Sequence, residues 1–278
     1  HVPLYVSPRG LTTSTIPYRG AGFALELDLV RHALVAATSE GDERRLALLP
    51  ARSVAAFYAE VLELLRSLGI EAQVWRMPVE IPGAIPFDED EVHASYDPAG
   101  ATRFFRALSS SAAVLEEFAG RFLGKQSRVH FFWGSFDLAA TRFSGRRAPE
   151  RPGADPVTRE AYSHEVISFG FWPGGVSQTG VEVEEPVLYA YAAPEPEGFR
   201  DAEVPAPARW DGRLGEFLLP YEAVRRARDP AAAIRDFCES VYAAGATLGG
   251  WDRAALERGA PALERRGRED GGAHPASP

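Results

Sequence analysis

The stretch from His130 to Gly175 concentrates the residues of this chain that could carry chemistry. It opens with His130-Phe-Phe-Trp-Gly-Ser-Phe-Asp137. Imidazole and carboxyl groups can exchange protons with a substrate. His130 and Asp137 are therefore candidate catalytic residues, and Trp133 is a candidate wall of their pocket. The alternative is that the aromatic residues form ordinary core and that His130 is hydrogen-bonded in place.

The same stretch carries arginines and a second cluster of titratable residues. Arg142 and Arg146 follow in Thr141-Arg-Phe-Ser-Gly-Arg146, and guanidinium groups hold carboxylates or phosphates through paired hydrogen bonds. We expect them either to bind an anionic substrate or to lie in a solvated loop. His164 and Glu165 are further catalytic candidates, although neighbours in a strand face opposite ways. Trp172 is a candidate substrate-binding residue.

Three histidines, His93, His130 and His164, stand near acidic residues in the sequence. Imidazole and carboxylate are ligands of Zn²⁺, Fe²⁺ or Mn²⁺, so these histidines are candidate ligands of a divalent metal. The chain lacks the His-Glu-x-x-His signature, and three separate structural histidines are the alternative. It also lacks the standard phosphate-binding, dinucleotide-binding and serine-hydrolase motifs.

The positions of these residues depend on a series of predicted elements. Strict apolar alternation predicts a strand at 23–29, and short runs of strand-favouring residues predict further strands at 2–6, 33–38, 45–49, 71–75, 129–141, 165–171, 186–192 and 216–219. Helical spacing with capping residues predicts helices at 53–69, 98–124 and 229–248, and prolines predict loops at 77–86 and 146–159. In an unbroken strand at 129–141, His130 and Asp137 would face opposite ways, unless Gly134 marks a bulge.

This order of elements predicts an α+β fold with an antiparallel or mixed β-sheet and with helices packed mainly on one face, because βαβ units do not repeat. We expect a single domain over residues 1–258. Residues 259–278 are charged and poor in apolar side chains, which predicts a disordered tail.

The composition narrows the setting in which the chain works. A net charge of −9 argues against nucleic acid as the main partner, and no apolar run is long enough to span a membrane. No secretory signal precedes Val2, and the single cysteine, Cys238, lies on an apolar helical pattern that favours a buried thiol. We therefore expect a cytoplasmic protein with a small-molecule ligand.

Several long motifs resemble a bacterial family known as domain of unknown function 5996. They are Leu4-Tyr-Val-Ser7, Met77-Pro-Val-Glu-Ile-Pro82, Val92-His-Ala-Ser-Tyr-Asp97, His130-Phe-Phe-Trp-Gly-Ser-Phe-Asp-Leu138 and Tyr162-Ser-His-Glu165. The similarity extends from Val2 to about Arg258. The resemblance brings no catalytic residue, since the family is uncharacterised. It implies an upstream tryptophan-rich segment, which we expect to be missing from this chain.

Two functions remain open from the sequence. The first is a small-molecule enzyme whose aromatic pocket holds acid–base or metal-ligating groups and arginines. The second is a non-catalytic module that binds a small ligand. A protein that only docks a partner is a third and weaker interpretation. The oligomeric state does not follow from the sequence.

Overall fold

A computed structural model describes residues 3–79, 83–177 and 180–258. It confirms the predicted α+β class, since two six-stranded antiparallel sheets carry the helices. The predicted disordered tail lies outside the described residues. Among the residues that are described, no helix combines the length and the apolar character needed to cross a bilayer.

The first sheet is built from the N-terminal strands, in the order β1-β2-β4-β5-β6 with β3 paired to β4. Its strands are β1 (Tyr5–Val6), β2 (Gly10–Thr12), β3 (Ile16–Tyr18), β4 (Ala21–Asp28), β5 (Ala33–Thr38) and β6 (Glu43–Ala47). Alternating apolar residues predict β4 correctly, and the turn residues at 39–42 join β5 to β6 as expected.

Helix α1 (Val54–Ser67) packs on the first sheet. Ser53 caps it by accepting the N–H of Ala56, and Leu64 and Leu65 form a small core with Phe23 of the sheet. The strand predicted at 71–75 is wrong: this segment pairs with no described strand. Alternation marks extended chain, but a strand also needs a partner, and local sequence does not supply one.

The second sheet has the order β13-β14-β12-β9-β8-β7, with every pair antiparallel. Its strands are β7 (His130–Phe132), β8 (Asp137–Arg147), β9 (His164–Trp172), β12 (Val187–Ala193), β13 (Arg209–Asp211) and β14 (Glu216–Pro220). A short hairpin of β10 (Gly175–Val176) and β11 (Glu182–Val183) lies between β9 and β12 in the chain.

Helices α2 (Pro98–Ala119) and α5 (Pro230–Leu248) cover one face of the second sheet, which we call the inner face. Leu138, Ile167, Phe169 and Phe217 point into the main core there. Three short helices complete the fold: α3 (Pro156–Ala161), α4 (Tyr221–Arg226) and α6 (Arg253–Leu256). Asp155 caps α3 inside the segment for which a loop was predicted.

The structure corrects the single strand predicted at 129–141. Residues 133–136 form a turn, so β7 and β8 are the arms of a hairpin in which Phe132 lies opposite Asp137. Phe136 adopts a φ of 58° in this turn, and its ring stacks on Phe104. Because paired residues of an antiparallel ladder share a face, His130 and Asp137 lie on the same face of the sheet. Gly134 belongs to the turn and not to a bulge.

Candidate functional site

The outer face of the second sheet, opposite the helices, carries a row of polar side chains across four strands. Thr141 lies opposite Ser168, and Ser168 lies opposite Tyr191. Continuing the register of β12 and β14 places Glu216 opposite Tyr191. We call Thr141, Ser168, Tyr191 and Glu216 the polar row. Its hydroxyl groups are linked at one end, where Thr141 Oγ1 lies 2.8 Å from Ser168 Oγ.

Asp137 lies beside the polar row and is buried on the outer face. Its two carboxyl oxygens accept hydrogen bonds from Ser135 and from the hydroxyl of Tyr189. Burial raises the pKa of Asp137, and these hydrogen bonds oppose the rise. Asp137 is therefore a carboxyl group fixed in place by two donors.

Gly170 allows Tyr189 to reach Asp137 across strand β9. A Cβ atom at position 170 would lie 2.3 Å from Cζ of Tyr189 and 2.1 Å from the carbonyl oxygen of Leu138. The ring of Tyr189 thus occupies the space that any larger residue would fill. Because Gly170 on β9 has no side chain, the hydroxyl of Tyr189 on β12 can reach Asp137.

Glu216 closes the polar row and lies in surroundings that oppose its charge. Burial, together with the negative charges of Asp137 and Asp211, raises its pKa to about 7. No hydrogen bond or ion pair joins its carboxyl group to another side chain in the described parts of the chain. It can therefore gain or lose a proton near neutral pH and has hydrogen-bonding capacity left for a ligand.

Tyr189 and Tyr191 lie between the carboxyl groups of Asp137 and Glu216. Tyr189 and Tyr191 stack with ring centroids 6.3 Å apart, and the hydroxyl of Tyr191 lies 3.2 Å from that of Tyr162. Burial raises the pKa of both Tyr189 and Tyr191 well above the ordinary value. Both hydroxyls therefore stay protonated and can serve as hydrogen-bond donors.

A cavity of about 570 Å³ lies next to this group, between β11 and the edge formed by β13 and β14. Its lining includes Leu218, which pairs with Tyr189, and Asp211, which pairs with Glu216. Arg213 lies 2.6 Å from Asp211 and holds the pKa of that carboxyl at about 2. The cavity is thus lined by the strand partner of Glu216, one strand from the end of the polar row.

Four of the residues predicted from sequence lie on the outer face: His130, Asp137, His164 and Trp172. Trp172 packs against the small cluster of Val183, Val187, Tyr189 and Leu218. His130 contacts the rings of Tyr5 and Phe132, and burial lowers its pKa. His164 lies four residues from Ser168 along β9, which is roughly 13 Å, and contacts Ser163.

The predicted arginines and Glu165 have partners elsewhere. Arg142 lies on the inner face with 3% of its surface exposed, donates to the carbonyl of Phe118, and contacts the rings of Phe118 and Tyr242. Arg146 binds Glu165 with an Nη2–Oε2 distance of 2.7 Å. The same guanidinium donates to the carbonyls of residues 249 and 250.

The remaining candidates are spread over the surface. Trp133 is exposed in the turn of the β7–β8 hairpin. His93 lies beside α1, far along the chain from the second sheet, and its ring contacts Asp90. Within the described ranges, no group of three or more histidine, cysteine, aspartate or glutamate residues is arranged to hold a metal ion.

Sequence reasoning missed Glu216, Tyr189, Tyr191 and Ser168. A signal was present, because Tyr189-Ala-Tyr191 alternates within a predicted strand and Glu216 begins another. The signal is weak, since it does not show which strands are neighbours. Only the pairing of β8, β9, β12 and β14 brings these residues together.

Comparisons with known proteins identify the family and nothing about its chemistry. No curated protein and no solved structure matched the chain. A family model described as a family of unknown function (DUF5996) matches residues 1–258. This match covers nearly the whole chain and agrees with the motifs that carry the resemblance. The chain therefore belongs to the DUF5996 family.

Proposed function

We propose that the chain binds a small polar molecule on the outer face of the second sheet and exchanges a proton with it through Glu216. The observation that carries this proposal is the state of Glu216, a largely buried carboxyl group with a pKa near 7 and no side-chain partner in the described residues. A general acid or base is most efficient when its pKa lies near the working pH.

The neighbours of Glu216 suit the recognition of a ligand. Tyr191 and Thr141 lie along the polar row with half-buried hydroxyl groups that can both donate and accept hydrogen bonds, and the buried Ser168 between them bonds Thr141. The ring of Trp172 adds an apolar surface on the same face. A few polar groups beside aromatic walls are typical of small-molecule sites.

The charges favour a ligand that is neutral or positive. The cavity beside Glu216 is lined by four carboxyl groups (Glu182, Glu184, Glu185 and Asp211) and two arginines (Arg209 and Arg213), and Arg213 pairs with Asp211. Carboxyl groups therefore outnumber cations there, and Arg142 and Arg146 are engaged elsewhere. We therefore propose an amine or a polyhydroxyl compound as the ligand class. This differs from the anionic substrate predicted from the arginines alone.

A non-catalytic binding module is the second candidate, and the contacts of Asp137 favour it. Both oxygens of Asp137 already accept hydrogen bonds from Ser135 and Tyr189. A carboxylate held in this way positions its neighbours more readily than it transfers protons. The site would then hold its ligand without changing it.

The proposal can be tested by NMR with the indole N–H of Trp172 as the reporter, assigned with a Trp172→Phe variant. Ethanolamine, glucose, acetate and inorganic phosphate are titrated separately near neutral pH. We expect ethanolamine or glucose to shift the signal and the two anions to leave it unchanged. Glu216→Gln should weaken this response at least about tenfold, since a charged hydrogen bond is lost.

Glu222→Gln is the matched control, because the side chain of Glu222 on α4 is 43% exposed and pairs with Arg225 and Arg226. The Trp172 signal of Glu222→Gln should respond to the four compounds as the wild-type signal does. A larger response to acetate or phosphate, or an unchanged response in Glu216→Gln, would count against the proposal. Slow conversion of the bound compound would indicate an enzyme, and binding without conversion would indicate the module.

A further inference from the structure

A second cavity lies beside the first sheet, away from the polar row. It measures about 250 Å³, and its apolar lining comes from Leu48, Leu49, Val54, Phe57 and Tyr96. These residues follow β6, begin α1 and precede α2. Apolar protein cavities of about 150 Å³ bind benzene, so this volume accommodates one aromatic ring.

Hydrogen bonds hold the walls of this cavity in place. The N–H groups of Val54 and Ala55, at the start of α1, donate to the carbonyls of His93 and Asp90, each at 3.0 Å. On the other side, Tyr96 Oη lies 2.9 Å from Nδ1 of His32. The cavity is therefore formed before a ligand arrives, and little chain entropy is lost on binding.

His93 provides the polar group at the rim. Its Nδ1 lies 2.8 Å from Oδ2 and 3.0 Å from Oδ1 of Asp90. Asp90 also accepts the backbone N–H groups of Val92 and His93. The bond from the backbone of His93 lowers the pKa of Asp90, so the carboxyl group is ionised and can only accept.

The tautomer of His93 follows from this contact. Because the Asp90 carboxylate accepts, Nδ1 of His93 carries the hydrogen atom. In the neutral ring, Nε2 is then left as a hydrogen-bond acceptor. A ligand that meets it must offer an O–H or N–H group.

Arg52, which also lies at the rim of the cavity, does not favour an anionic ligand. Arg52 is largely buried, donates to the carbonyl of Ala47, and lies 3.4 Å from Oε2 of Glu60. Its charge is therefore offset by a neighbouring carboxylate. A ligand with its own carboxylate would have to displace Glu60.

We propose that this cavity binds a single-ring aromatic compound with one hydrogen-bond donor, such as a phenol, with the donor directed to Nε2 of His93. The ring packs against Leu48, Val54 and Phe57. This site is independent of the function proposed for the outer face of the second sheet.

Phenol, anisole and benzoate serve as probes, because anisole keeps the ring and oxygen of phenol but lacks the O–H group. Binding is followed through the backbone amide signals of Val54 and Tyr96, at about pH 8.5, above the range in which histidines usually change charge. We expect phenol to bind about fivefold more tightly than anisole, as the loss of one hydrogen bond implies. Benzoate should bind more weakly than either.

Two variants test the geometry. His93→Phe should abolish the difference between phenol and anisole while leaving the fold intact, since the His93 side chain is 69% exposed. Leu49→Trp should weaken both probes by narrowing the mouth. His164→Phe, the same substitution at a distant histidine, should bind both as the wild type does. Equal affinity for phenol and anisole in the wild type, or no response of Val54 and Tyr96 to phenol, would overturn the proposal.

Discussion

Glu216 and Arg142 are charged side chains held in surroundings that oppose their charge. Each lies on the second sheet, but on opposite faces. Arg142 is stabilised by the rings of Phe118, Phe122 and Tyr242 and by the carbonyl of Phe118 in the last turn of α2. Glu216 has no comparable partner among the described side chains, which is the main reason for assigning it a functional role.

Glu216 should make the stability of the protein depend on pH. Its folded-state pKa of about 7 lies above the ordinary value of 4.5, so between these values the folded state binds more protons than the unfolded state. The stabilisation associated with protonated Glu216 is present below about pH 4.5 and is lost as the pH rises through 7. Glu216→Gln should therefore be more stable than the wild type at about pH 8, by about 1–3 kcal/mol.

Urea unfolding at about pH 4 and pH 8 measures this difference. At the lower pH the two proteins should have nearly the same free energy of unfolding, since Glu216 is then protonated. Glu222→Gln should show little change at either pH. If Glu216→Gln is less stable than the wild type at the higher pH, the charge of Glu216 is satisfied and our account of it is wrong.

Arg142 should tolerate no other cation. Lysine cannot lie flat against Phe118 and Tyr242, and its compact charge loses more hydration on burial. We expect Arg142→Lys to lower the free energy of unfolding by about 2–4 kcal/mol. Arg103→Lys, at an exposed position, should change it by less than about 0.5 kcal/mol. If both substitutions change the free energy of unfolding by similarly small amounts, the Arg142 guanidinium does not stabilise the fold.

At the level of elements, the paired strands decide where the functional groups lie. The β7–β8 hairpin brings Asp137 to the outer face, and β9 contributes Gly170, over which Tyr189 crosses. The sequence predicted most of these strands, because β9, β12 and β14 are short runs of apolar and aromatic residues. It missed the hairpin turn, since Trp133-Gly-Ser-Phe136 contains two aromatic residues that resemble strand.

Gly170→Ala tests the crossing of Tyr189 over β9. The new methyl group would collide with the Tyr189 ring and with the carbonyl of Leu138, so we expect a loss of about 1–3 kcal/mol in the free energy of unfolding. Gly212→Ala is the control, because the nearest atom to its added Cβ is 3.7 Å away.

A double-mutant cycle of Gly170→Ala and Tyr189→Phe measures whether Gly170 positions the ring of Tyr189. Tyr189→Phe removes the hydrogen bond to Asp137 and should cost about 1–2 kcal/mol in the wild-type background. In the Gly170→Ala background it should cost less, because the displaced ring has already lost that bond. Additive effects would indicate that Gly170 does not position Tyr189.

At the level of the whole molecule, the two sheets are joined near the N-terminus. Leu4 and Phe131 exchange backbone hydrogen bonds of 2.8 and 2.7 Å, and Leu11 of the first sheet belongs to the main core of the second. The single domain expected for residues 1–258 stays a prediction. The smaller core around Phe23, Leu64 and Leu65 is separate, so cooperative unfolding needs a direct test.

Leu65→Ala provides this test. It removes buried volume from the smaller core and should cost about 2–4 kcal/mol. Most tryptophans, including Trp172, Trp210 and Trp251, lie with the second sheet and report on its unfolding by fluorescence. In a single domain, Leu65→Ala lowers the urea midpoint of that signal, whereas Leu248→Ala, at an exposed position, does not. An unchanged midpoint in Leu65→Ala would show two independent domains.

The sequence by itself determined the class of fold, most of the strands and helices, and the family. These properties depend on local patterns such as the apolar alternation in β4 and the capping residues Ser53, Asp97 and Asp229. It also placed His130, Asp137, His164 and Trp172 in a region of interest, because unusual residue types cluster there.

Only the tertiary structure decided which of these residues share a site. Asp137 and Glu216 are separated by 79 positions in the chain, and they become neighbours through the pairing of β8, β9, β12 and β14. Arg142 precedes a predicted loop in the sequence, yet its strand directs it into the core. Strand pairing and the face of each strand depend on contacts between distant parts of the chain, which no local pattern contains.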